Sequence, residues 1–351
     1  MMIGKKISVL IVDDSQSSRE LLRWIVSQDA GMTVVGAAGN GHEAVEMTVR
    51  LRPDIVAMDV VMPEMDGLEA TREIMEQHPV PIVIVSAIYD PHDAAQNFEA
   101  LRSGALALLA KPTVEGEHNG EWRRFIVSLK AMSQLNVTGR HLHQILPASP
   151  EGREPPVSPK RAVVVGTSTG GPRVLATILS CMPADFPLPV LVVQHLAPGF
   201  LAGMVEWLGG RTALKVKIAE LGEICRPGHV YFAPDGRHMG IGRNLEIFLS
   251  DDPPLHGVRP SASFLFSSAA ANLGGQGIGV LLTGMGRDGS KELGDILAAG
   301  GLTVVESLET AMIHGMPGEA IRLGAAAKIL PNLEIADYLV RYLKNTGKYG
   351  V

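Results

Sequence analysis

The chain has 351 residues, 46% of them apolar and 19% charged, which excludes wholesale disorder and sets an expectation of about two domains. Aromatic residues are only 5% while glycines number 39, a composition suited to close-packed α/β layers rather than a sandwich of aromatic strands. The formal charge of −6 argues against a nucleic-acid footprint over the whole chain, and it is unevenly spread: residues 1–132 carry 12 basic against 19 acidic side chains, residues 133–351 carry 19 against 18.

Apolar runs at 7–12, 33–38, 55–58, 82–86 and 105–110 have the length and near-continuous hydrophobicity of strands buried on both faces. Amphipathic segments such as 17–28 and 67–77 lie between them. This alternation predicts a doubly wound, five-stranded parallel sheet of the flavodoxin-like type. Residues 136–160 then read NVTGRHLHQILPASPEGREPPVSPK, a Pro/Ser/Gly-rich linker. Beyond it, strands are expected at 161–166, 189–194, 277–283 and 301–305, and helices at 172–182, 198–208, 261–273 and 289–299. Residues 213–250, with turns at Pro227-Gly228 and Asp235-Gly236, look like short antiparallel strands. The expected organisation is therefore a first domain over 1–132, a flexible linker over 133–160, and a second doubly wound α/β domain over 161–351, its sheet mainly parallel with a short antiparallel section.

Two cysteines, Cys181 and Cys225, indicate no disulfide framework, and a reduced, cytoplasmic setting is expected. The apolar run after Lys5 and Lys6 is too short for a signal peptide, and no uncharged apolar stretch reaches membrane-spanning length.

In an open parallel sheet ligands gather at the carboxyl ends of the strands. Here those ends carry Asp13 and Asp14, then Asp59 in MDVVMPEMDG, Ser86, and Lys111 in AKP. Three converging carboxylates repel one another unless a cation joins them, and a hard divalent ion such as Mg²⁺ suits an all-oxygen donor set. A carboxylate beside such a cation and a lysine can take up a phosphoryl group, with Ser86 donating to one of its oxygens. Singly, each residue has a plainer reading: Asp13 or Asp14 as the N-cap of the helix that follows, Lys111 as a solvated lysine before a turn proline. Together they argue for the pocket.

This segment, from about residue 6 to 128, resembles the receiver domain of two-component response regulators. The resemblance implies Asp59 as phosphoacceptor, Asp13, Asp14 and Asp59 as Mg²⁺ ligands, Ser86 and Lys111 as phosphoryl-binding groups, a histidine kinase as phosphodonor, and a cis Lys111–Pro112 bond. Receivers often carry an aromatic residue three positions before the lysine. Here that position is Leu108, so a rotating-aromatic switch lacks its ring.

In the second half, the strand at 161–166 runs into GTSTGGP. A Ser or Thr on a Gly-rich turn between strand and helix serves phosphate cradling or acyl transfer. Neither nucleotide-binding fingerprint fits the spacing. Acyl transfer needs a base and an orienting acid, and His195 in QHLAPGF and Asp288 in LLTGMGRDG both follow strands, on the same rim as Ser168. The backbone near Thr169 and the N–H of Met285 are oxyanion candidates. The plainer readings are a tight helix–strand turn, a half-buried histidine and a turn aspartate. His256, Arg259 and Ser261, the last a helix cap, are expected near the rim, and no histidine spacing, His238 and His314 included, makes a metal site.

Residues 161–345 resemble the catalytic domain of the chemotaxis response-regulator protein-glutamate methylesterase (CheB) family, through GTSTGG, QHLAPGF, YFAPDGRHM, RPSASFLF and LLTGMGRDG in family order. The resemblance implies nucleophile Ser168, base His195 and acid Asp288. It also implies hydrolysis of γ-glutamyl methyl esters, and deamidation of glutamines, on chemoreceptor helices. Phosphorylation of the receiver would control the reaction, with Mg²⁺ serving the receiver and no cofactor serving the ester step. A monomer without membrane insertion or nucleic-acid binding is expected. Two other readings stay open at this point: a phosphorylation-controlled binding module with a silent second domain, and a receiver-linked transcription regulator, which the second domain's near-neutral charge disfavours.

Overall fold

The wholly apolar runs become the inner strands: β3 (Ile55–Met58) and β4 (Ile82–Ser86) are buried at every position, as strands covered by helices on both faces must be. The computed structural model describes residues 6–87, 98–117, 120–135, 137 and 161–345. The chain divides into two units, Met1–His143 and Gln144–Val351. All of the expected linker except 133–135 and 137 lies outside the described residues, as do 346–351 of the tail.

In the first unit β1 (Ile7–Val12), β2 (Met32–Ala38), β3, β4 and β5 (Ala107–Ala110) form a parallel sheet in the order β2-β1-β3-β4-β5. The helices between them start at side-chain caps. Ser15 caps Gln16–Ser27, Asn40 caps Gly41–Leu51, and Asp66 accepts from Leu68 and Glu69 N–H at the head of Gly67–Gln77. Neither Asp13 nor Asp14 is the cap of the first helix; Asp13 Oδ1 accepts the Ser15 N–H at 3.0 Å, and its Oδ2 is left for the pocket. Helix Gly67–Gln77 begins hard against β3. A Cβ on Gly67 would lie 1.9 Å from the Asp59 carbonyl oxygen, so only glycine fits there. Leu108 stands opposite Ile84 in the β4–β5 register.

The second unit is built on a seven-stranded sheet, order β14-β13-β12-β6-β7-β9-β8. Its strands are β6 (Ala162–Thr167), β7 (Val190–Gln194), β8 (Lys215–Ile218), β9 (His229–Phe232), β12 (Gly277–Leu281), β13 (Leu302–Glu306) and β14 (Lys328–Leu330). Every pairing in it is parallel. Successive residues of β6 face opposite layers. Ala162 and Val164 pack with Leu265 and Phe266 of helix Ala262–Leu273, while Val163 and Val165 face Leu175, Ile178 and Leu339.

The antiparallel expectation for 213–250 holds only for its second half. β10 (His238–Ile241) and β11 (Ile247–Ser250) form an antiparallel pair, but β8 and β9 run parallel inside the main sheet. The connection between β8 and β9 does not reverse. Gly222 and Cys225 N–H bond to Ile247 O and Leu245 O, so the segment runs along the β10–β11 hairpin before Pro227-Gly228 turns it back into the sheet. The Lys111–Pro112 bond is trans, against expectation; among the described residues Arg259–Pro260 is the cis one. Trans is the ordinary preference of an X–Pro bond, by about 0.5–1 kcal/mol. In that form Lys111 already reaches Ser86 O with its N–H and two carboxylates with its ammonium.

Candidate active site and acidic pocket

Both sheets change winding direction beside their first strand, β1/β3 in one and β6/β12 in the other, and both clusters of polar residues sit at the carboxyl ends there. In the first unit Asp13 follows β1 and is fully buried, Asp59 follows β3 and is 5% exposed, and Asp14 is exposed. One carboxylate oxygen from each lies within 4.8 Å of the others. Lys111 Nζ sits 2.7 Å from Asp13 Oδ2 and 2.6 Å from Asp59 Oδ2. Burial alone would lower the lysine's pKa, but its bonds to Asp13 and Asp59 outweigh that and raise it. Burial likewise raises Asp59, against the pull of Lys111. One ammonium leaves three carboxylates undercompensated, and an all-oxygen donor set of this size fits a hard divalent cation such as Mg²⁺. Ser86 is 3% exposed at the end of β4, with its hydroxyl turned onto Ala87 O at 3.3 Å.

In the second unit the β6–β7 register pairs Thr167 with Gln194, so Ser168 and His195 follow side by side; His195 N–H bonds Thr167 O at 3.0 Å. The serine heads the turn into helix Gly171–Ser180, with Gly170 left-handed at φ +83° and Pro172 in the first turn. Asp288, from the loop after β12, meets His195 Nε2 through Oδ2 at 2.9 Å. Its other partners come from the neighbouring helix start. Ser261 OγH donates to Oδ1 at 2.6 Å, Ala262 N–H to Oδ2 at 2.6 Å, and Ser263 N–H to Oδ1 at 3.1 Å. Burial would raise this carboxyl, yet the bond and charge of His195, with Ser261 and Ala262, hold its pKa at about 2.

That ionisation fixes the imidazole. A carboxylate only accepts, so Nε2 carries the proton and Nδ1 is the free acceptor. Ser168 Oγ makes no hydrogen bond among the described residues. Its own N–H is committed to Thr283 O at 3.0 Å, whereas the N–H groups of Thr169 and Met285 bond nothing among the described residues. Gly284 brings these pieces together: a Cβ there would lie 2.7 Å from Ser168 Cβ, so the strand leading to Met285 passes directly against the serine.

The sequence reading missed Gln194. Its amide donates to Ser168 O at 2.8 Å and His195 O at 2.9 Å, tying serine turn and histidine together. The available signal was a polar residue closing the apolar run VLVV immediately before His195. Ser261 caps its helix as expected and also holds Asp288. Arg259 donates to the carbonyls of Asp251 and Asp252, and His238 is fully buried and stacked on Phe264.

The depressed Asp288 pKa contributes stability that is complete above the unfolded carboxyl value of about 4 and is lost as pH falls through about 2. Thermal denaturation between pH 5 and pH 2 is therefore expected to fall more steeply for the wild type than for Asp288→Asn. Parallel curves would show that the group does not titrate in this window.

The two units match two protein families. The family description "CheB methylesterase" matches residues 163–339, and "Response regulator receiver domain" matches 9–118. A protein-glutamate methylesterase/protein-glutamine glutaminase 4 of Geobacter metallireducens is 48% identical, covering 93% of this chain and 95% of the relative. A protein-glutamate methylesterase/protein-glutamine glutaminase of Nitrosospira multiformis is 44% identical, covering 97% of this chain and 98% of the relative. The crystal structure of the Thermotoga maritima CheB methylesterase catalytic domain is similar at 38% identity and a TM-score of 0.51, covering 52% of this chain and 99% of that one. A serine on a Gly-rich turn, a His–Asp pair and an upstream acidic pocket thus occur in a chain of which these two relatives cover 93% and 97%: it belongs to the CheB family of protein-glutamate methylesterases/protein-glutamine glutaminases that carry a response-regulator receiver.

Proposed function

We propose that residues 161–351 form a methylesterase domain in which Ser168, His195 and Asp288 hydrolyse γ-glutamyl methyl esters on chemoreceptor helices. Ser168 Oγ attacks the ester carbonyl carbon while His195 Nδ1 takes its proton. Asp288 holds the imidazole through Nε2–H and stabilises its cation. The developing oxyanion faces the N–H groups of Thr169 and Met285, each such donor being worth about 3 kcal/mol in the transition state. The carbon–methoxide bond then breaks, and His195 returns its proton to give methanol. A water molecule, deprotonated in turn by His195, cleaves the glutamyl–Ser168 ester and frees the carboxylate. A glutamine amide follows the same course with ammonia leaving. The step calls on water and on no cofactor.

Residues 1–132 act as the receiver, joined through the linker 133–160. Asp59 accepts the phosphoryl group from a histidine kinase, and Lys111 and Ser86 meet its oxygens. Asp13, Asp14 and Asp59 would hold Mg²⁺, which when bound neutralises charge on the transferring phosphoryl group. The protein works as a monomer in the cytoplasm, with no insertion into the membrane that carries its substrate; no helix among the described residues is long and apolar enough to cross one.

The observation that carries the reading is the 2.9 Å His195–Asp288 bond beside a serine on a Gly-rich strand–helix turn. Incubation of the full chain with membranes bearing methylated chemoreceptors is expected to release methanol, and ammonia where receptor glutamines are present. A folded chain that releases neither from any of a panel of receptors is instead a binding module.

A further inference from the structure

The serine turn is held from beneath by a carboxylate that touches none of the reacting atoms. Glu306 ends β13 and is fully buried. Its Oε2 accepts the Thr283 N–H at 2.8 Å. Its Oε1 accepts Thr310 OγH at 3.1 Å and the Asn332 amide at 3.3 Å. Burial pushes the pKa of this carboxyl up against the pull of its three donors, so its acceptor oxygens are costly to leave unmet, and one of the three donors is the backbone N–H of Thr283.

Thr283 in turn directs its remaining polar groups at the serine turn and the strand beside it. Its carbonyl accepts the Ser168 N–H at 3.0 Å and Thr167 OγH at 3.1 Å. Its hydroxyl donates to Thr169 O at 3.0 Å, with Ile313 O at 3.3 Å as the alternative, and accepts the Ile313 N–H at 2.9 Å. The two residues that follow are Gly284, in contact with Ser168, and Met285. One residue therefore sets the height of Ser168, the carbonyl orientation at Thr169 and the path of the chain to Met285. Consecutive hydrogen bonds of this kind polarise one another in a dry interior, and a fully satisfied network selects one geometry.

We propose that Glu306, acting through Thr283, is a positioning residue for the ester reaction: it fixes Ser168 and the two oxyanion donors in the geometry that catalysis needs. This rests on the assignment of Ser168 as nucleophile. The contribution belongs to the transition state, because a methyl ester can dock beside a slightly displaced serine but cannot be attacked from it. Misplacement by about 1 Å is enough to lower a rate by about 100-fold.

The test compares the full-length chain with Thr283→Val, Thr283→Ser, Glu306→Gln and Ser168→Ala. Two readouts are used: methanol release resolved into kcat and KM, and the rate at which a soluble alkyl fluorophosphonate phosphonylates Ser168, whose Oγ bonds phosphorus as fluoride leaves. Thr283→Val and Glu306→Gln are each expected to lower kcat and the labelling rate by about 10- to 100-fold with KM within about twofold, and Thr283→Ser, which keeps the hydroxyl, to stay within about threefold of wild type. If Glu306→Gln does not fold, Glu306→Asp, which keeps both acceptor oxygens on a shorter arm, is measured in its place and is expected to lower kcat and the labelling rate in the same way, because the Thr283 pair tests only the hydroxyl and leaves the backbone N–H that Glu306 accepts unchanged. The proposal is overturned if a folded Glu306 variant turns over and labels at the wild-type rate, if folded Thr283→Val does so, or if Thr283→Ser falls as far as Thr283→Val, which would mark a packing role. Should Ser168→Ala label and turn over normally, it is the nucleophile assignment that fails.

Discussion

Ser168→Ala is expected to lower methanol release by about 10⁴-fold or more, because on the proposed mechanism it removes the nucleophile and leaves only binding and oxyanion donation. The fold should not change. The side chain is small, it is 9% exposed, and its Oγ carries no hydrogen bond among the described residues, so no buried partner is orphaned. Asp288→Asn should also fall steeply, by a different route. Each Asp288 oxygen accepts two donors: Ser261 OγH and Ser263 N–H on Oδ1, Ala262 N–H and His195 Nε2–H on Oδ2. An amide must turn its NH₂ toward one of those pairs. Turned toward His195, it drives the ring proton to Nδ1, the nitrogen that has to accept from Ser168; turned away, it opposes the Ser263 N–H at the helix start. Methanol release measured on methylated receptor membranes, with circular dichroism to confirm folding, checks both. Wild-type turnover by Ser168→Ala would remove the serine mechanism altogether.

Much of this was legible in the sequence because parallel α/β sheets broadcast themselves. Buried on both faces, β1, β3, β4, β6 and β7 read as short apolar runs, and the chemistry follows directly at their carboxyl ends, where Asp13, Asp59, Ser168 and His195 stand. What was not legible depends on contacts between distant segments. Nothing local distinguishes β8 and β9, which run parallel, from a hairpin. Their orientation is decided by the hydrogen bonds of Gly222 and Cys225 to the β10–β11 strand, and the turn dipeptide Pro227-Gly228 suits either outcome. Gln194, Thr283 and Glu306 are silent for a related reason. Each sits at the end of an apolar strand, where a polar residue ordinarily marks the start of a loop, and only the folded arrangement turns it on the serine.

Asp59→Ala is expected to abolish stimulation. With a small-molecule phosphodonor and Mg²⁺, the wild-type esterase should accelerate by a factor in the range typical of coupled sites, on the order of 5- to 150-fold, while the variant shows the same rate with and without the donor. The pocket explains why one residue carries the response. Lys111 is the ammonium that binds both buried carboxylates, at 2.6 and 2.7 Å. Phosphorylation replaces one of those carboxylates by a group of about −1.5 to −2 charge with three acceptor oxygens. Lys111 and the Ser86 hydroxyl, which now donates only to Ala87 O at 3.3 Å, must then reorient together. Ser86 ends β4 and Lys111 follows β5, where Leu108 offers no ring to swing. If release of inhibition is the consequence, removing residues 1–150 should raise unstimulated methanol release. A truncated chain no faster than the unphosphorylated whole would mean that the phosphorylated receiver actively promotes the reaction, and stimulation persisting in Asp59→Ala would locate the phosphorylated group outside this pocket.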